Sequence, residues 1–74
     1  MALLKPAHLD MPPVTGVLID ESQDGFRVRH LYADFHPGEI VSYIHRVSEG
    51  RARVVWHLAT DGEFETGFEY LNVP

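Results

Sequence analysis

The 74-residue chain contains no cysteine. That excludes disulfide staples, thiolate metal sites and a cysteine nucleophile. It also fits a reducing compartment. No stretch of ten or more residues carries a helical period of apolar side chains, which leaves strands as the organising element. No apolar run is long enough for a helical membrane span. The opening MALLKPAHLDMPP has its lysine only after a short apolar start, and Pro6 interrupts it, unlike an export signal. A cytoplasmic chain is the expectation. Basic residues are few. Six Lys and Arg against eleven Asp and Glu leave a formal charge of −5. Long-range repulsion argues against a general DNA or RNA binder and against an acidic membrane surface as partner. The length allows one domain, and folding at this size buries only about 60% of the unfolded surface. Such a marginal core gains from self-association or a bound partner, since whatever binds only the folded state stabilises it.

What is present is a series of short, alternating segments. Residues 1–13 hold three prolines and no clear period. They read as an N-terminal arm with one short strand near Leu3–Leu4, closed by Pro12-Pro13, because proline lacks a ladder donor. Val14–Ile19 is an apolar, β-branched run and predicts a strand, in which Gly16 marks a bulge or a close approach. Residues 20–25 are a turn. Phe26-Arg27-Val28-Arg29-His30 then alternates, with Phe26 and Val28 facing inward and the two arginines outward. Pro37-Gly38 is a turn, followed by a strand over Ile40–Ile44. Ala52–Leu58 alternates again and places Ala52, Val54, Trp56 and Leu58 on one face. Arg53, Val55 and His57 fall on the other. Asp61-Gly62 is a hairpin turn. Phe64, Thr66, Phe68 and Tyr70 line one face of the last strand, with Glu65 and Glu69 opposite. The chain is expected to be all-β, a small antiparallel barrel of five to six strands over residues 14–74, with no C-terminal helix.

The segment VTGVLIDESQDGFRVR resembles the second motif of PilZ domains, the bacterial receptors for cyclic di-GMP. That motif is Asp or Asn, any residue, Ser, two residues and Gly, set between two strands, and Asp20, Ser22 and Gly25 fill it in register. HPGEIVSYI resembles the family's turn into a strand. ARVVWHLATDGEFETGFEYL resembles its closing hairpin. The resemblance covers about residues 14–72. It implies a PilZ-like barrel and a ligand set of Asp20, Ser22 and Gly25. Arg27 or Arg29, on the outer face of the strand after the motif, is the candidate to assist by meeting phosphates from the sheet side. The family's first motif, two arginines four apart on the arm before the first strand, has no counterpart here. Residues 1–13 contain no arginine, only Lys5, with His8 nearby. Lysine does not replace the bidentate fork that arginine offers a phosphate.

Each of these residues also has a purely structural role available. Asp20 and Ser22 are turn formers that bond nearby backbone, and Gly25 is able to take a left-handed position or allow a close approach. Arg27 and Arg29 suit a solvated strand face opposite Glu65 or Glu69, where cross-strand pairs contribute roughly 0.2–1 kcal/mol. Arg51 and Arg53 sit beside a turn with Glu49 nearby. Trp56, Phe64, Phe68 and Tyr70 alternate as a core does; a base-stacking platform needs them exposed. The five histidines, His8, His30, His36, His45 and His57, have no metal-ligand spacing. Ser22, Ser42 and Ser48 carry no nucleophile signature, and Asp61 and Glu63 have only each other as acid/base partners. The expected function is therefore non-enzymatic and metal-free. It is a degenerate PilZ-like signalling or protein-interaction module with cyclic di-GMP binding weak or lost and no required cofactor. The alternative is a working cyclic di-GMP receptor using Asp20, Ser22, Gly25, Arg27 and Arg29.

Overall fold

A computed structural model describes residues 1–7, 10–46 and 48–71. His8 and Leu9 of the expected arm, and residues 72–74 of the expected barrel segment, lie outside them. Six strands form among the described residues: β1 (Ala2–Pro6), β2 (Val14–Glu21), β3 (Gly25–His30), β4 (Ile40–His45), β5 (Ser48–Thr60) and β6 (Glu63–Tyr70). There is no helix among the described residues, hence none long and apolar enough to cross a membrane. Every pairing is antiparallel, and the strands close into a barrel in the order β1-β2-β3-β6-β5-β4. The expected all-β antiparallel barrel is the fold observed, with six strands.

Closure depends on the N-terminal segment. β1 pairs with β2 through Leu3↔Thr15 and with β4 through Leu3↔Ile44. Part of the expected arm is thus a stave of the barrel, with Ala2 and Leu4 buried in the core. Closure gives each strand a paired neighbour on both sides over part of its length, which matters for so small a chain.

The core follows the alternation. Phe26 sits at its centre, with ring centroids 4.9 Å from both Tyr43 and Phe68 and 5.3 Å from Tyr70. Leu4, Val28, Val41, Ala52 and Val54 fill the space around these rings. The β3–β4 connection contributes as well. Phe35, only 2% exposed, drops from that loop onto His30 and Phe68 at 5.1 and 5.7 Å. The Pro37-Gly38 turn holds the loop in place: the Glu39 amide donates to the His36 carbonyl at 3.0 Å, and Gly38 takes φ +92°. Pro then a left-handed Gly is the type II turn pattern.

Two bulges change the facing of residues. One lies between Leu18 and Asp20 in β2 and sets Asp20 opposite Arg27. The other lies between Val54 and Trp56 in β5. One extra residue reverses the period beyond it. Ala52 and Val54 point inward as expected, but Trp56 and Leu58 do not share their face. Leu58 is 55% exposed, Val55 is 49% exposed, and His57 turns inward instead.

The inward turn of His57 creates a polar chain inside the barrel. The Tyr32 amide donates to His30 Nδ1 at 3.0 Å, so the neutral His30 carries its proton on Nε2. That proton goes to Thr66 Oγ1 at 2.7 Å. The Thr66 hydroxyl in turn donates to His57 Nδ1 at 2.7 Å, and His57 Nε2–H donates to the Ala33 carbonyl at 3.1 Å. The chain of bonds runs from the Tyr32 amide through His30, Thr66 and His57 to the Ala33 carbonyl. Burial, helped by the neighbouring His57, pushes the His30 pKa down to about 4.

Candidate functional site

The β2–β3 hairpin carries the motif. Its turn closes through the Ser22 amide, which donates to the Gly25 carbonyl at 2.8 Å. The Asp24 amide donates to Ser22 Oγ at 3.3 Å, and the hydroxyl reaches the Gly25 carbonyl only at 3.5 Å. Ser22 therefore performs local turn bonding. The Asp24 carbonyl accepts from the Tyr70 amide at 2.9 Å, which ties the turn to β6.

Gly25 is not in a left-handed conformation; among the described residues the positive-φ glycines are Gly38, Gly50 and Gly62. The left-handed option for Gly25 is thus corrected. The glycine is needed because β3 and β6 approach closely there. A Cβ on Gly25 would stand 2.0 Å from the Phe68 carbonyl oxygen. Gly16 is the same kind of position, where a Cβ would meet Val28 at 2.4 Å.

Asp20 faces Arg27 across the hairpin in a bidentate pair, Nε to Oδ1 at 2.9 Å and Nη2 to Oδ2 at 2.5 Å. The third guanidinium nitrogen, Nη1, reaches Glu65 at 3.3 Å. The Arg27 hydrogen bonds hold the Asp20 carboxyl below the usual carboxylate range, and Asp20 raises Arg27 in return. Arg29 stands further along β3, 3.9 Å from Glu63. Arg53 of β5 bonds Glu69 at 2.6 Å. The outer face of β3 is thus a row of cross-strand ion pairs, as the alternation implied for Arg27 and Arg29.

An open groove of about 370 Å³ runs along this face. Asp20, Ser22, Gly25 and Arg27 line it together, while Arg29 lies outside it. Trp56 lines it as well. Its ring lies across Gly67, where a Cβ would stand 2.3 Å from both indole Cε2 and Nε1. The bulge after Val54 puts the tryptophan outside the barrel, so its expected place in the core is corrected. No hydrogen bond among the described residues uses its indole N–H, and that nitrogen is not buried. The pairing Trp56↔Gly67 is the signal that sequence reasoning missed. A glycine inside a strand often faces a large ring that covers it.

The groove is acidic. Asp20, Glu21, Asp24 and Glu69 line it against the one guanidinium of Arg27. Gly67→Ala is expected to displace the Trp56 ring while the barrel stays folded, because the clash is with a side chain. The emission of this sole tryptophan should shift to the red, with far-ultraviolet circular dichroism unchanged. An unshifted emission maximum would contradict the placement. Among the described residues no group of three or more His, Asp or Glu side chains is arranged to hold a metal ion. Comparison with family models, with curated proteins and with solved structures finds no match for this chain.

Proposed function

We propose that this chain is a cytoplasmic, non-enzymatic, PilZ-like interaction module that docks a protein partner, with cyclic di-GMP binding weak or lost. The observation that carries this reading is the charge of the groove. Four carboxylates line it, and its single guanidinium is committed at all three nitrogens to Asp20 and Glu65. A dianionic dinucleotide must break that pair and then face Glu21, Asp24 and Glu69 at short range. Residues 1–13 offer it no arginine in compensation. A second reading, a working cyclic di-GMP receptor using Asp20, Ser22, Gly25, Arg27 and Arg29, draws support from the Trp56 ring, since an accessible indole is a stacking surface for a base. Calorimetric titration with cyclic di-GMP at low salt separates the two. No heat of binding is expected up to millimolar nucleotide. Micromolar binding that is lost in Arg27→Ala would favour the receptor.

A further inference from the structure

We propose that the groove between the motif turn and Trp56 seats an arginine side chain from an extended, basic segment of a partner protein. The proposal rests on the interaction-module reading and names its site. Three features point to this occupant. The first is charge complementarity: of the four carboxylates lining the groove, Asp20 is paired with Arg27 and Glu69 with Arg53, and Glu21 and Asp24 leave it acidic. The second is the ring. Trp56 covers the Gly67 backbone and lines the groove beside those carboxylates, and an indole ring attracts a cation, arginine most often. The third is shape. The groove is open and about 370 Å³, at the lower end of the range of small-molecule sites, which bury most of their ligand. A single side chain from a longer chain suits it better.

Arginine fits better than lysine. A planar guanidinium stacks on the indole and forks to a carboxylate in the same pose, whereas an ammonium does only one of these. Asp24 sits at the exposed turn of the groove and is open to an incoming fork. Glu69 already holds Arg53 at the groove margin with both side chains nearly half exposed, so that pair is screened and readily shared. The Asp20–Arg27 pair stays closed in this arrangement and serves as one wall. The expected attraction weakens as salt rises, because the groove charges are solvent-facing.

The test uses the intact chain and its own fluorophore, since Trp56 is the only tryptophan. The probe is a capped glycine-serine peptide with two arginines. Its controls are the same peptide with citrulline, a neutral isostere, and free argininamide. A saturable change in Trp56 emission is expected with the arginine peptide, falling at high salt and absent with citrulline. Asp24→Asn and Glu69→Gln should each weaken it about threefold, the scale of an exposed charge pair. An equal response to citrulline, or equal saturation by argininamide, would overturn the proposal. Silence toward the arginine peptide and toward cyclic di-GMP would overturn the groove assignment while leaving an interaction module that docks elsewhere. A response to cyclic di-GMP alone would overturn both readings. Amide shifts of Gly25 and Gly67, followed on the same samples, locate any response in the groove.

Discussion

Gly25→Ala is expected to lower stability by about 3 kcal/mol, the upper end of the overpacking range, and to leave much of this small domain unfolded. The reason is backbone against backbone. The new Cβ would stand 2.0 Å from the Phe68 carbonyl oxygen and 3.1 Å from its carbon. No rotamer change relieves such a contact. The strands have to separate where β3 and β6 register from Gly25↔Glu69 to His30↔Phe64. That pairing also positions Phe26 against Phe68 in the centre of the core. Gly62→Ala is the control. It stands at φ +78° with open space around it, so its cost is conformational, about 1 kcal/mol. Urea denaturation of the two variants measures the contrast. Equal midpoints would contradict the close approach. The outcome bears on function too, because it makes the motif glycine a requirement of the barrel whether or not anything binds beside it.

Mild acid is expected to destabilise the barrel through His30. His30 has a folded pKa of about 4 against an ordinary value of 6.5. It is a base held neutral by the fold: Nδ1 accepts the Tyr32 amide, Nε2–H is spent on Thr66, and His57 stacks beside it at 5.8 Å. Above pH 6.5 both folded and unfolded chains are neutral at this site, and stability does not depend on it. Below 6.5 the unfolded chain takes up the proton first, so stability falls until pH reaches about 4 and then levels off for this group. The difference corresponds to roughly 3 kcal/mol across that window. Asp20 acts in the same direction but lower, since its folded pKa lies below 3.8. Denaturation midpoints at pH 7 and pH 4.5 should differ strongly in the wild type and little in His30→Gln. If that variant does not fold, the ring-proton shift of His30 in the wild type serves instead. Titration near 6.5 would contradict the prediction.

Much of the fold was legible because its rules are local. The Phe26–His30 alternation, the Pro37-Gly38 turn and the Asp61-Gly62 hairpin each announce themselves within a few residues, and all three stand where expected. What stayed hidden depends on partners far along the chain. β1 becomes a stave only because β4, some forty residues on, accepts it. Phe35 enters the core from a loop with no period of its own. The bulge at Val55 has no local mark, since Val55, Trp56 and their neighbours are all good strand formers. It nevertheless decides the site, by turning His57 inward and Trp56 outward. The motif side of the groove, Asp20, Ser22, Gly25 and Arg27, was visible in the sequence; the tryptophan wall was not. The bonding of Ser22 to its own turn, and of Arg27 to Asp20 and Glu65, also needed the folded geometry to be seen.

These contacts give the motif a structural explanation at every position. The turn needs Ser22, the β3–β6 approach needs Gly25, and the hairpin pairs Asp20 with Arg27. The presence of these residues therefore does not by itself require a bound nucleotide. The most direct test is a titration of the wild-type chain with cyclic di-GMP at low salt, following the amide resonances of Gly25, Arg27 and Gly67. The account predicts that all three stay in place up to millimolar nucleotide, with the Arg27 guanidinium signals still those of an ion pair. Saturable shifts in these resonances at micromolar nucleotide would contradict it.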